Sequence, residues 1–303
     1  MNQKREIKDQ STAAGDNLED PSPFNETIRM ESDICGGADP LLLDALENPQ
    51  NIRCVVQEGI ILAGGAVAIL LQVAAPGVAR GVDEHSNFAY RPVDRLRTTM
   101  TYIYCMAFGT REEKRIVVKM VHLAHASVNG PGYSADDPTL QLWVAATLYA
   151  VGTGLYQRIF GNMDEETAEA LYREYAILAV SLRVRPEMWP ANRKAFWKYW
   201  DHQIATLQIT EYAERVAKDL LYNTKAPLRV RAVLPLVRLI TTEMLPPRLQ
   251  DAFGLKSNRS RRRLNQMIMV FTKAVYPHIP KSIRTYSMQY YLKDMRRRIQ
   301  NVI

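Results

Sequence analysis

Cysteine and histidine are both scarce in this 303-residue sequence, which contains three cysteines and five histidines. Cys35, Cys54 and Cys105 are widely spaced and form no C-x-x-C pair, so they do not make a disulfide framework. Such usage is typical of a reducing compartment, in which isolated thiols are mostly packed or bystander residues. The H-E-x-x-H motif and paired Glu-x-x-His motifs are also missing. Their absence excludes the usual signatures of a zinc hydrolase and of a ferritin-like di-iron site.

Long apolar segments are missing as well. Residues 1–31 are polar throughout and contain no apolar stretch of the signal-peptide type. The one membrane-like run, residues 59–79, is interrupted by Gln72 and Pro76, whereas a spanning helix needs about 20 apolar residues. We therefore expect a buried core helix in this region and an intracellular protein, either cytoplasmic or peripheral on the cytoplasmic face of a membrane.

Period-two alternation with hairpin turns, the mark of β-strands, does not occur in a clean form. Helix signals recur instead. Thr110 with Glu113 forms a capping-box pattern, and Asp137 followed by Pro138 places an N-cap before a proline at the first helical position. With 47% hydrophobic residues, the chain is long enough to bury a full core. The sequence predicts an all-α fold, organised as a single multi-helix domain.

The predicted helices can be bounded by their caps, glycines and prolines. Residues 83–86 are expected to form a turn between two of them. Helices are expected over residues 51–71, 93–107, 114–128, 138–160, 165–182, 192–207, 210–222, 229–244, 260–276 and 280–300.

The two ends of the chain carry opposite charge. Residues 1–50 contain four basic and eleven acidic side chains, whereas residues 226–303 contain sixteen basic and three acidic ones. Because residues 1–40 mix Ser, Asp, Asn, Glu and Pro with few apolar residues, they are predicted to be disordered. The expected organisation is this acidic N-terminal segment, a helical domain over residues 41–256 and a basic helical extension over residues 257–303.

Two arginine runs, Arg261–Arg263 and Arg296–Arg298, mark the basic extension. They form either a solvated face or a surface for an anionic partner, of which an anionic membrane is favoured. Nucleic acid is disfavoured because no nucleic-acid motif accompanies the runs. The apolar residues expected to hold the extension against the body of the protein are Met267, Phe271, Val275 and Tyr276.

The residues that can carry chemistry centre on one predicted helix. His122 and His125 are three residues apart, so they lie on neighbouring parts of one face. A haem site needs one axial histidine, an apolar pocket and a cation, which His125 and Arg95 can supply. Two histidines at this spacing also occur as packing or surface residues, so the spacing alone leaves both interpretations open. We expect His122 to be structural.

Other functional interpretations compete with structural ones in the same way. Arg95 lies one turn from Thr99, but Asp94, Asp83 and Glu84 are acidic residues near it in the sequence that can pair with it. A helical threonine, for its part, often bonds its own backbone. Four aromatic residues form a further cluster, which we expect to pack in the core rather than to stack on a substrate. They are Trp189, Trp197, Tyr199 and Trp200.

Several segments in order resemble a known family. They are LLQVAAPGVA at 70–79, GVDEHSNF at 81–88, RLRTT at 95–99, AFGT at 107–110, HASVNG at 125–130, DPTLQLWVAAT at 137–147, LPPRL at 245–249 and GL at 254–255. Together they resemble the catalytic domain shared by the fungal endoplasmic-reticulum oxygenase MpaB and the bacterial rubber oxygenase, latex clearing protein. The similarity covers roughly residues 50–256 and indicates a member of the fungal, secondary-metabolism type.

The resemblance implies a buried cofactor pocket and a set of roles. In the rubber oxygenases, the histidine of the segment matching His125 is the proximal ligand of a b-type haem. By position, His125 would be the axial iron ligand of haem b, with Arg95 and Thr99 on the oxygen-binding side. His85 would border the pocket. The resemblance further implies O2 and an apolar substrate, isoprenoid-like or another secondary metabolite. The alternative is a non-catalytic ligand carrier or an interaction protein.

The sequence departs from the family pattern at three positions. The family usually has Ala-His-Pro where this chain has Ala75 before Pro76, and Trp-Val-His-Ala-Thr where this chain has Ala145. Thr98 stands in place of the lysine of the rubber enzyme's distal side. If either histidine binds cofactor or substrate in the family, the chemistry of this protein is shifted or lost.

Overall fold

A computed structural model of the chain describes residues 48–85 and 92–300. The segment predicted to be disordered lies outside these ranges. The α-helices are α1 (Asn51–Val56), α2 (Gly65–Val73), α3 (Pro76–His85), α4 (Pro92–Phe108), α5 (Arg111–Ala126), α6 (Pro138–Phe160), α7 (Glu165–Tyr175), α8 (Ile177–Val180), α9 (Arg193–Thr206), α10 (Glu211–Leu221), α11 (Leu228–Met244), α12 (Pro247–Ala252), α13 (Arg259–Val275), α14 (Lys281–Arg284) and α15 (Tyr286–Gln300).

The remaining regular elements are short. Two-residue strands β1 (Asn129–Gly130) and β2 (Tyr133–Ser134) pair in an antiparallel manner after α5. Three short 3₁₀-helices cover Gly59–Gly64, Pro186–Met188 and Tyr276–His278. The all-α fold class is therefore confirmed.

Helix α6 runs through the centre of the core. Its Trp143 is almost fully buried and donates its indole N–H to the carbonyl of Leu71 in α2 at 2.8 Å. Gln72 donates to the hydroxyl of the buried Thr147 at 3.1 Å. Gly64, at the end of the 3₁₀ segment before α2, packs directly on α6, because a Cβ there would lie 2.7 Å from a side-chain methyl of Val151. These contacts fix the central helix pair against which the other helices pack.

The helix ends follow the capping signals of the sequence. Thr110 and Glu113 form a complete capping box at the start of α5, with the Thr110 hydroxyl and the Glu113 carboxylate each accepting a backbone N–H. Asp137 caps α6, where Pro138 occupies the first position, and Gly161 ends the helix at a φ of 99°. Glycine suits that end because positive φ is strained for other residues.

The prediction of one helix over residues 51–71 is wrong. The chain leaves α1 after Val56, and Glu58 adopts an extended backbone before the 3₁₀ turn. The cause is a contact far along the chain: the buried Glu58 carboxylate accepts from the Arg284 guanidinium at 2.7 Å. A turn was also predicted over residues 83–86, but α3 continues to His85. That prediction is therefore wrong for residues 83–85.

The C-terminal helices pack on the body of the protein through Tyr276, as expected, and through an ion pair that the sequence pattern did not predict. Asp294 of α15 is buried and pairs with Arg97 of α4 at 2.6 Å. The hydroxyl of Tyr276 accepts from the backbone N–H of Ile60 at 3.1 Å. Met267 and Phe271 were expected to hold this segment, but their side chains are 69% and 68% exposed.

The same correction applies to Val275, which is exposed. Helix α13 instead contacts α6 and α11 through its other side, where Asn265 is buried. The apolar stripe of α13 therefore faces outward rather than into the core.

Within the described residues, none of the helices alone has the length and apolar composition of a membrane span. The segments Gly59–Val73 and Pro76–His85 reach that composition only as a pair, and the pair is bent by 112°.

Candidate functional site

The candidate site lies where the C-terminal half of α5 meets the start of α6. The Nδ1 atom of His125, near the end of α5, lies 3.5 Å from the side-chain nitrogen of Gln141 in the second turn of α6. The capping box at Thr110 fixes where α5 begins, and the short β1–β2 hairpin reverses the chain between the two helices. Local sequence signals thus bring these two side chains together.

Gln141 is a buried anchor of this region. Its amide nitrogen donates to the carbonyl of Ala135 at 2.7 Å, and its amide oxygen accepts from the backbone N–H of Arg183 at 2.8 Å. These two bonds orient the amide so that its N–H group faces the imidazole of His125. A contact of 3.5 Å is at the outer limit of hydrogen bonding. Because an amide nitrogen only donates, this contact favours the tautomer in which Nδ1 accepts and Nε2 carries the proton.

The site keeps its histidines neutral. Burial lowers the pKa of His125; the carboxylate of Asp136 opposes this shift, and the charge of Arg95 adds to it. Burial likewise lowers the pKa of His122, with Arg183 acting in the same direction. A neutral imidazole has a nitrogen lone pair, which is what a metal ligand requires.

Arg95 lies within electrostatic reach of His125, as its effect on that pKa indicates. Burial lowers the pKa of Arg95 itself. Thr99 is one turn further along α4 and its side chain is exposed, as is that of Thr98, whose hydroxyl donates to the carbonyl of Arg95 at 3.0 Å. The charge of Arg95 therefore acts on His125, whereas the side chain of Thr99 is exposed to solvent.

Two of the three acidic residues considered as partners of Arg95 have ion pairs with other arginines, and the side chain of the third, Asp94, lies outside the described part of the structure. Asp83 pairs with Arg215 at 2.8 Å and Glu84 pairs with Arg80 at 2.7 Å.

His85 lies in a different polar cluster. Its Nε2 is 2.9 Å from the Tyr133 hydroxyl, which donates to Glu84 at 2.6 Å. The guanidinium of Arg80 lies over the Tyr133 ring, 5.2 Å from its centroid. His85 is exposed at the end of α3, so its contacts are with β2 rather than with His125.

His122 carries an orphaned atom. Its Nε2 is buried and has no hydrogen-bond partner in the described part of the chain. One oxygen of Asp136, whose charge acts on both histidines, is buried without a hydrogen bond as well, although Arg183 lies 3.8 Å from it. Buried polar atoms are nearly always satisfied in proteins, and these two belong to a set of ten such atoms in the described residues, eight of which lie elsewhere.

The described residues contain no group of three or more histidine, cysteine or acidic side chains arranged to hold a metal ion. Within residues 48–85 and 92–300, the site therefore offers single protein ligands rather than a multi-ligand cage. A haem needs only one or two axial ligands from the protein, because the porphyrin supplies the others.

Sequence reasoning missed Gln141 and Asp136. The available signal was a polar residue on the buried side of an apolar helix, since Gln141 lies one turn before the buried Ala145. Ala145 and Ala75, the two positions at which the family pattern has histidine, are both buried small side chains.

Comparison with known proteins gives a family and two relatives. The model of the family "ER-bound oxygenase mpaB/B'/Rubber oxygenase, catalytic domain" matches residues 52–274. Uncharacterized protein Mb2261 of Mycobacterium bovis is 30% identical over 246 residues, which are 78% of this chain and 96% of that protein. Uncharacterized protein Rv2237 of Mycobacterium tuberculosis matches with the same identity and coverage.

No solved structure matches the chain significantly. The family match covers most of the described residues, including α4, α5 and α6, which carry Arg95, His125 and Gln141. The chain belongs to the mpaB and rubber oxygenase catalytic-domain family.

Proposed function

We propose that this protein is a haem b-dependent oxygenase in which His125 is the axial iron ligand. The proposal is supported by the family match over residues 52–274 and by the half-buried imidazole of His125, whose pKa is lowered by burial and by the charge of Arg95. The family supplies the coarser half of the proposal, since its members are oxygenases and use O2 with a small-molecule substrate. The haem, its ligand and the substrate class are our inference.

One property of the site fits a haem, and one contact would have to change. Burial keeps His125 unprotonated at neutral pH, as an axial ligand must be. The Gln141 amide nitrogen faces Nδ1 and can only donate, whereas an iron-bound imidazole donates from its other ring nitrogen. Iron binding through Nε2 would therefore move the proton to Nδ1 and displace the Gln141 contact.

When bound, a haem supplies the redox-active iron on which O2 chemistry depends. The side chains of this chain have the supporting roles. Arg95 can donate hydrogen bonds to negative charge that develops on oxygen, and burial makes such a donor more effective than it is in water. Thr99, one turn away and exposed, can orient this donor or a water beside it. The substrate is an apolar molecule, isoprenoid-like or another secondary metabolite.

The test of haem dependence is a pyridine haemochromogen assay on protein expressed with added haem precursor. We expect about one haem b per chain at saturation. Folded protein that neither contains haem nor takes it up would contradict the proposal and would favour a non-catalytic ligand carrier.

A specific observation also favours attachment to a membrane. Five apolar residues of α13 are exposed and recur at helical spacing. They are Leu264, Met267, Val270, Phe271 and Val275. Helix α11, which contacts α13, also exposes Leu228, Val233 and Leu236. An exposed apolar stripe of this kind usually marks an interaction surface.

The charges around the stripe indicate its partner. Helix α13 contains five basic residues and no acidic one. A second copy of the chain would place arginines opposite arginines, whereas an anionic membrane offers an apolar interior below a negative surface. We therefore propose that α13 attaches the protein to an anionic membrane, from which an apolar substrate can be drawn.

A further inference from the structure

A concave site lies far from His125. It is a cavity of about 620 Å³ lined by residues of α2, α6, α9, α11, α12 and α13. Gln141 and Gly154, which belong to the candidate site and to the cavity respectively, are 13 residues apart on α6. At about 1.5 Å per residue this separation is about 20 Å. The cavity is therefore a separate feature with its own chemistry.

The lining of the cavity combines an apolar wall with two cations. Leu71, Val151 and Leu245 provide aliphatic surface, and Trp197 and Trp200 provide aromatic surface. Its volume is in the range of small-molecule sites, about 300–1,000 Å³. A pocket that is mostly apolar with a few polar groups is the usual form of a ligand site.

Trp197 is the most informative of these residues. Trp189 is buried in the core, as the sequence predicts, but Trp197 is 39% exposed, which corrects the prediction of core packing. Its ring packs edge-on against Phe196 at 5.0 Å and Trp200 at 6.1 Å between centroids. The ring is thus braced by the aromatic cluster while part of its surface borders the cavity.

The charges of the cavity are not balanced. Arg158 is exposed and has no hydrogen bond or ion pair to any residue that the structure describes. Arg262 donates only from Nε, to the Ser257 hydroxyl at 3.2 Å. Glu243, the one acidic residue of the lining, accepts from that same hydroxyl at 2.7 Å. The outer nitrogens of both guanidinium groups are therefore available to an anion.

We propose that this cavity binds a single-chain amphiphile with an anionic head group, a carboxylate or a phosphate. The apolar chain would lie along Leu71, Val151 and the two tryptophans, and the head group would meet Arg158 and Arg262. This inference does not depend on haem, because none of its residues belongs to the site around His125.

Gly154 provides a direct means of testing the cavity. It lies within α6 and borders the cavity, and a Cβ built on it meets no atom within 4 Å. A Gly154→Leu substitution therefore fills the cavity without a clash at its first atom. Leucine is also the better helix former, by up to about 1 kcal/mol, so this variant is expected to fold.

The experiment is a tryptophan-fluorescence titration of the full chain with dodecanoate, dodecyl phosphate and the neutral dodecanol. We expect saturable binding of at least one anionic probe, with dodecanol at least about tenfold weaker, because a charged hydrogen bond is lost. Arg158→Gln and Arg262→Gln should each weaken anion binding about tenfold and leave dodecanol binding unchanged. Arg229→Gln, which changes an exposed arginine outside the cavity lining, is the matched control.

The probes and variants separate the outcomes. A preference for dodecanoate or for dodecyl phosphate assigns the head group within the proposal. Gly154→Leu should abolish binding of both anionic probes. Its circular dichroism spectrum should match that of the wild type, and its thermal midpoint should be at least as high. Equal binding of dodecanol and the anions, unchanged binding in Gly154→Leu, or no binding of either anion would overturn the proposal. The two arginine variants change exposed side chains and keep the test valid if the glycine variant fails to fold.

Discussion

The Nδ1 atom of His125 lies 3.5 Å from the amide nitrogen of Gln141, and that amide is itself fixed by the backbones of Ala135 and Arg183. One buried side chain therefore links the hairpin, the start of α6 and the segment after α8 to the proposed ligand. The orientation of the imidazole depends on this link.

Replacing Gln141 should lower stability. Gln141→Ala leaves a carbonyl and a backbone N–H without partners, which costs about 1–3 kcal/mol of unfolding free energy. Urea unfolding measures this loss. Gln57→Ala, whose long 3.5 Å contact is exposed, is the control, and an equal loss in both variants would refute the linking role.

Stability should fall on mild acidification because of the two histidines on α5. Folding lowers the pKa values of His122 and His125 below 6.5. Below that pH the unfolded chain binds protons that the folded chain does not. The contribution of the two histidines to the free energy of unfolding is therefore complete above that pH and declines as the pH falls. We expect urea midpoints to drop between about pH 7.5 and about pH 5.5.

The double variant His122→Gln, His125→Gln should show a smaller drop in the urea midpoint over the same pH range. The exposed His202 serves as control, since His202→Gln should keep the wild-type dependence. A double variant with the wild-type pH dependence would contradict the assignment.

The ion pair between Arg97 and Asp294 should anchor the last helix. The Arg97 guanidinium holds the pKa of the buried Asp294 carboxyl below 3.8, although desolvation opposes the shift. The stabilising effect of the ion pair is complete above that pH and is lost as the pH falls through the pKa that the Asp294 carboxyl has in the folded state. Asp294→Asn should lower the unfolding free energy by about 3 kcal/mol, as removal of one partner of a buried pair does.

The matched comparison for Asp294 is Glu211→Gln, which breaks an exposed pair with Arg215. Exposed pairs contribute about 0–1 kcal/mol, so this change should be nearly silent in urea unfolding. Similar losses in the two variants would mean that α15 is held mainly by apolar contacts such as those of Leu292 and Met295.

Membrane attachment should require both the apolar stripe of α13 and an anionic surface. We expect the protein to float with vesicles containing phosphatidylserine and not with phosphatidylcholine alone, since each basic residue near an anionic leaflet contributes about 1 kcal/mol. The variant Met267→Ser, Phe271→Ser should lose flotation. Met120→Ser, Leu123→Ser removes equally exposed apolar residues from α5 and should not. Indifference to vesicle charge, or tight nucleic-acid binding instead, would contradict this attachment.

The sequence predicted those features of the fold that local chemistry decides. The Thr110–Glu113 box and the Asp137–Pro138 cap position α5 and α6 because a cap acts within one turn. The break at Glu58 was missed because its cause, Arg284, is 226 residues away in the chain. The outward stripe of α13 was missed for a related reason. Helical spacing shows that one face is apolar but does not show what covers it.

The candidate site was predictable to a similar extent. His125 and Arg95 were identified from motif order, and the structure brings them into one electrostatic neighbourhood. Gln141 and Asp136 were not identified, because their importance depends on the buried partners that they meet after folding. Their roles toward a cofactor remain predictions.

Absorption spectra of the wild type and of histidine variants, expressed with adequate haem supply, test directly whether His125 holds the iron of a bound haem. We predict a Soret band in the wild type and its loss in His125→Ala. The band should be retained in His202→Ala and His278→Ala, both of which change exposed side chains. Circular dichroism should show that all three variants are folded. A folded His125→Ala protein that keeps the wild-type Soret band would contradict the claim that His125 holds the iron.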